Sequence, residues 1–122
     1  MGNFRELKVW QRSKNLAIYL YKISDQEKFT KDYSLKDQIR RAAISMPSNI
    51  AEGDELGTDK QSIRFFYTAK GSCAEVLTQG IIAFEINYIT KEQFDHIEEE
   101  CKGISAMLAR LIQARSKNHL RR

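Results

Sequence analysis

Proline is nearly absent from this 122-residue chain: Pro47 is the only one, and six glycines accompany it. So little turn chemistry excludes a many-stranded sheet, and the abundance of Leu, Ile, Ala, Lys, Glu, Gln and Arg favours long helices. No apolar run approaches the roughly 20 residues that cross a bilayer, and the start MGNFRELKVW lacks the apolar centre of a signal peptide. A cytoplasmic protein without a membrane partner is therefore expected. Cysteine is scarce too. Cys73 and Cys101 fall on apolar helical stripes, which favours buried reduced thiols over a disulfide. If the last two helices turn near residue 89, Cys73 faces about residue 105 and Cys101 lies ~6 Å away along the axis, which strains disulfide geometry.

Histidine is equally rare, and that removes several chemistries. A dimetal bundle needs inward glutamates with Glu-x-x-His pairs, but Gln93 stands three residues before His96 and Ser116 three before His119. A Ser-His-acid triad has no recognisable arrangement here. The run Glu98, Glu99, Glu100 points in three directions about 100° apart on a helix, so it reads as a solvated face and not as paired catalytic carboxylates. AKGSC at 69–73 lacks the spaced glycine and Gly-Lys-Ser/Thr ending of a phosphate loop. Gly71 instead reads as a site of close helix packing. No enzyme, cofactor, metal or small-molecule substrate is expected.

What the chain does have is helical periodicity in four segments of a single domain, a size that buries roughly two-thirds of the unfolded surface. The first, about 4–24, carries two stripes: Val9, Leu16, Leu20 and Ile23, and beside them Leu7, Trp10, Ala17 and Tyr21. After a polar connection, DQEKFTKDY, the second shows Leu35, Ile39, Ala42, Met46, Asn49 and Gly53, with glycines 53 and 57 marking its end. The third, about 59–87, runs through Ile63, Phe66, Cys73, Leu77 and Phe84, with Ala69, Val76 and Ala83 alongside. The fourth, about 91–115, runs through Phe94, Ile97, Cys101, Ile104, Leu108 and Leu111. Caps at capping-box spacing are expected from Asn3 with Glu6, Ser34 with Asp37, Thr58 with Gln61 and Thr90 with Gln93. Short connections make an antiparallel, up-down-up-down four-helix bundle over 1–115 the economical assembly, with 116–122 as a frayed basic tail.

The net charge of +4 is distributed unevenly: +4 over residues 1–31, 0 over 32–53, −2 over 54–90, −3 over 91–109 and +5 over 110–122. In an up-down bundle both chain ends lie together, so Arg5, Lys8 and Arg12 approach Arg110, Arg115, Lys117, Arg121 and Arg122. Such a cluster attracts phosphate backbones; the alternative is a solubility tail. Phe65, Phe66 and Tyr67 span about 200° of a helix, so at least one is expected outside the core, which favours self-association unless a broad core absorbs it.

Pro47 sits inside a helical pattern, where it lacks an N–H and crowds the carbonyl of Ala43, at a cost of about 3 kcal/mol. Ser45 and Ser48 offer hydroxyls to the freed groups, so the expectation is one kinked helix and not two short ones. Asn49 then falls on the core stripe, where its amide either fixes helix register or meets a ligand.

QIRRAAISMPSNIAEG, with ELKVW before it and IRFFYTAKGSCAE after it, closely resembles the bacterial four-helix bundle proteins encoded in intervening sequences of 23S ribosomal RNA genes. The resemblance runs from Phe4 to Leu111. It is carried most specifically by Val9 and Trp10, by Arg41 with Ser45, Pro47, Ser48, Asn49, Ile50, Ala51, Glu52 and Gly53, and by Phe65, Ala69, Gly71, Ser72 and Glu75. That family is also similar to the accessory protein of diversity-generating retroelements, a basic pentamer that binds nucleic acid and the reverse transcriptase. The resemblance thus implies a homopentamer and binding of ribosomal or other structured RNA or DNA. Arg40 and Arg41 join the basic ends as candidate contact residues, and the rival expectation is a protein-interaction scaffold that binds no nucleic acid.

Overall fold

A computed structural model describes residues 3–56 and 58–121, with side chains through residue 118. Gly57, the Arg121 side chain and Arg122 lie outside the described residues. Every regular element among them is helical: a 3-10 turn at Phe4–Glu6, then α1 (Lys8–Ile23), α2 (Glu27–Lys31), α3 (Tyr33–Glu55), α4 (Asp59–Glu85) and α5 (Lys91–Arg121). The all-helical class is as expected, with four long helices. α5 continues past the end expected at 115.

Cross-helix pairs give the register. Ser45 meets Ser72 and Gly53 meets Ser62 between α3 and α4; Lys70 meets Ser105 and Arg115 meets Ser62 between α4 and α5. Arg12 meets Glu100, and Tyr19 meets His96 edge-on, between α1 and α5. In each case residue numbers rise on one helix as they fall on the other, so these neighbours run antiparallel. Their inner stripes close on Leu16, Leu20, Ile39, Met46, Ile50, Phe66, Val76, Ile97, Ile104 and Leu108, all fully buried. Burying such side chains is worth about 1.5–3 kcal/mol each, which holds helices whose intrinsic propensity alone is marginal.

One strict capping box forms in full: Thr90 accepts from the Gln93 N–H at 3.1 Å while the Gln93 amide oxygen accepts from the Thr90 N–H. At α4, Thr58 caps the helix by accepting from the Gln61 N–H at 3.3 Å, but the Gln61 side-chain oxygen accepts from the Thr58 hydroxyl and not from its N–H. The two looser matches do not form. Asn3 makes no side-chain cap, and α1 starts only at Lys8. Asp32, not Ser34, caps α3 by accepting from the Leu35 N–H at 3.1 Å. A carboxylate there is the stronger acceptor and also favours the positive end of the helix dipole.

The polar connection is more than a loop. α2 sends Phe29 into the core at 0% exposure, against Tyr88 with ring centroids 5.5 Å apart, while the Tyr88 hydroxyl donates to Asp32 at 2.9 Å. α4 ends with Asn87 in the left-handed region at φ 65°. Asn87 N–H donates to Phe84 and Tyr88 N–H to Ala83, the paired bonds of a Schellman ending, with asparagine where glycine is usual.

α3 runs unbroken through Pro47. Gly53 does not terminate it but lies buried inside it: a Cβ there would stand 2.6 Å from Phe66 Cε1. Gly71, expected at a close crossing, faces open space. Phe66 is buried and Tyr67 is 57% exposed, so the aromatic run does straddle core and surface.

Both cysteines are free and buried, and burial pushes their thiols up, Cys73 to about 11 and Cys101 to about 12. They line one cavity between α4 and α5.

Candidate nucleic-acid interface

The basic residues divide by what their charges already touch. Arg12 reaches from α1 to α5, where Nε and Nη2 grip both oxygens of Glu100 at 2.9 and 3.1 Å and Nη1 meets the Met107 sulfur. Its guanidinium lies over Gly103, where any Cβ would collide with it. This bidentate pair raises the Arg12 pKa and holds the Glu100 carboxyl below the usual range. Arg40 donates to Ser24 Oγ at 2.8 Å and to the Tyr21 carbonyl at 2.9 Å, and lies 4.5 Å over the Tyr21 ring. Arg115 turns toward the α3–α4 connection, 3.7 Å from Asp54, 3.5 Å from Asp59 and 5.8 Å over Phe66. Arg41 pairs with Asp37 at 2.8 Å but is largely exposed.

Arg5, Lys8, Arg110 and Lys117 are exposed and make no ion pair among the described residues. Antiparallel packing of α1 on α5 brings two of them together. Lys8 and Arg110 rim a groove of about 250 Å³ floored by Leu7, Val9, Met107 and Leu111. Two free cations thus border one apolar slot at the end of the bundle where Arg5 enters and Lys117 leaves. Arg12 lies one turn further along α1 and Arg115 one turn beyond Arg110 on α5, both already engaged by acids. The charge on that end is therefore carried by fewer side chains than the sequence counts there.

The PSNIAEG segment has a local logic. Asn49, expected to face the core, is half-buried and folds back on its own helix: its amide donates to the Ser45 carbonyl at 2.8 Å and to Ser45 Oγ at 3.0 Å. Two acceptors one turn back satisfy the amide without burying it fully. Ser72 donates to the same Ser45 hydroxyl at 2.7 Å, so one polar chain ties α3 to α4. Ser48 and Glu52 are exposed, Pro47 is half-buried, and Ser62 Oγ donates to the Gly53 carbonyl at 2.6 Å. Trp10 is half-buried at the other face, edge-on to Phe4 at 5.1 Å, with Lys14 at 5.9 Å over its ring.

Sequence reasoning missed Gly103 as the seat of Arg12 and Ser62 as the junction of Gly53, Thr58 and Arg115. A glycine in the middle of a well-patterned helix was the available signal for the first; nothing local marks the second. Among the described residues no three His, Cys, Asp or Glu side chains gather as metal ligands, and no helix is long and apolar enough to cross a membrane.

Comparison with known proteins gives a family and a fold. The family model described as 23S rRNA-intervening sequence protein matches residues 5–110. The chain is also similar to a crystal structure from Bacteroides thetaiotaomicron, described as a protein with unknown function from the S23 ribosomal protein family. The TM-score is 0.78 at 24% identity, covering 85% of this chain and 97% of that one. No curated protein matches the chain significantly.

Proposed function

Because this chain belongs to the 23S rRNA-intervening sequence protein family, we propose that it is a non-enzymatic, cytoplasmic, homo-oligomeric helical bundle that binds structured RNA or DNA through one basic end. The observation that carries this reading is the pairing of Lys8 with Arg110 across an apolar groove, both exposed and free of acids, with Arg5 and Lys117 beside them. Cations already spent on carboxylates release no counterions when phosphate arrives; free ones do. Arg41, whose exposed pair with Asp37 is worth little, is available as an accessory contact, whereas Arg12, Arg40 and Arg115 hold helices together.

Self-association is the second half of the proposal, with a pentamer as the form the family resemblance implies. It is supported by a face of α4 on which Tyr67, Gly71, Ala74, Thr78, Ile81 and Ile82 are all exposed, a largely uncharged and apolar stripe. Size-exclusion chromatography with light scattering should give a multiple of the 14.2 kDa chain mass at micromolar concentration; a monomer rejects this half.

Binding itself is read by fluorescence anisotropy against a ribosomal RNA hairpin across an ionic-strength series. The expected result is affinity that falls linearly on a log–log plot with salt, with a slope near one per phosphate contact. No binding at low salt leaves the protein-interaction scaffold as the reading, with the α4 stripe as its working surface.

A further inference from the structure

We propose that Met46, Cys73 and Cys101 form a binding site for a soft monovalent metal ion, Cu(I). The three sulfurs come from three helices, α3, α4 and α5: Cys73 touches Met46 on one side and shares a cavity with Cys101 on the other. Met46 is 0% exposed, and Cys73 Sγ lies 3.5 Å from Met46 Sδ. Cys73 and Cys101 line the same cavity of about 340 Å³ between α4 and α5.

Donor chemistry selects the metal. Thiolate and thioether sulfurs are soft ligands that suit Cu(I), which accepts low coordination numbers, and no carboxylate or imidazole lines this cavity to favour a harder ion. Ala74, Lys102 and Ala106 on the cavity wall are exposed, and the two thiols lie buried at its floor. Charge is balanced as well. Two thiols release two protons as one Cu(I) binds, so the site passes from neutral to a single negative charge. Burial holds the Cys73 thiol up, so the metal must displace its proton; Lys70, held at 3.1 Å from Ser105 Oγ, partly offsets that burial, and Lys70 and Lys102 on the cavity wall face the negative charge left when the metal is bound. Ordinary core packing explains a Cys–Met contact. It does not explain why two thiols share a cavity that opens to solvent beneath two ammonium groups.

The test titrates the reduced full-length protein, without oxygen, with Cu(I) held by the coloured chelator bathocuproine disulfonate. The wild type is expected to withdraw a single equivalent, and X-ray absorption of the loaded protein should show three sulfur neighbours and no nitrogen or oxygen. Cys73→Ser and Cys101→Ser should each lose the competition. Met46→Leu conserves volume and is expected to keep the fold, to bind more weakly, and to show two sulfurs. Failure of the wild type to compete overturns the site, as does undiminished binding by both serine variants. If a serine variant unfolds by circular dichroism, the Met46→Leu sulfur count decides: three sulfurs unchanged overturns the assignment.

Discussion

At the residue scale, two glycines of opposite surroundings give the sharpest contrast. A methyl group at Gly53 would stand 2.6 Å from Phe66 Cε1 and 3.2 Å from the Ser62 carbonyl oxygen, and Phe66 is itself fully buried. Gly53→Ala is therefore expected to cost about 1–3 kcal/mol in urea unfolding, the usual range for overpacking. A methyl group at Gly71 meets nothing within 4 Å. Gly71→Ala should stabilise the fold by about 0.5–1 kcal/mol through reduced backbone entropy in the unfolded chain. The same variant should weaken self-association if the α4 stripe packs closely against a second copy.

The Arg12–Glu100 pair is also argued residue by residue. Arg12 keeps 35% of its side-chain surface in water, so solvent screening discounts the pair, and Glu100→Gln is expected to cost about 1 kcal/mol at neutral pH. The hydrogen bond from Arg12 lowers the Glu100 pKa in the folded state. Its contribution is accordingly complete above the unfolded carboxylate value near 4.3 and is lost as pH falls through the lower folded value. Unfolding curves of the wild type and the variant should thus lie apart at pH 7 and converge in acid. Parallel curves at every pH would assign the loss to packing.

At the scale of elements, α3 is the unusual one because it stays helical through Pro47. The ring removes a donor and crowds the Ala43 carbonyl, so Pro47→Ala is expected to raise stability, by up to about 3 kcal/mol on denaturant unfolding. A destabilised variant would mean that the α3–α4 fit, with its Asn49–Ser45–Ser72 chain, depends on the backbone path the ring imposes. Much of this level is legible in the amino-acid order. Spacings of three and four place α3, α4 and α5, and Thr58 and Thr90, each with a glutamine three residues on, mark two starts. What local order leaves out is tertiary. Phe29 turns a polar connection into a core element only because Tyr88, far along the chain, provides a wall. Asp32 displaces Ser34 as cap because it also receives the Tyr88 hydroxyl. Asn49 lies on the apolar stripe by periodicity, yet rotates back to Ser45 once acceptors are within reach.

For the molecule as a whole, the charge pattern acquires meaning through antiparallel packing. Cations from the first and last stretches of the chain meet at one end, and the acids of α5 neutralise only those nearer the middle, as Glu100 does Arg12. The candidate interface was legible as a region but not as a residue set. Counting charges along the sequence cannot tell a guanidinium locked between Asp54 and Asp59, as Arg115 is, from an ammonium standing free at the rim, as Lys8 is.

One comparison bears on this most directly. Lys8→Glu with Arg110→Glu reverses two charges at the proposed end, and Lys28→Glu with Lys31→Glu reverses two exposed charges on α2, beyond the other end of α1. Both double variants change net charge equally, so anisotropy against one RNA hairpin at fixed ionic strength separates place from sum. Lost binding is expected for the first and near wild-type binding for the second. Equal weakening of the two, or unchanged binding by the first, would contradict binding through that end.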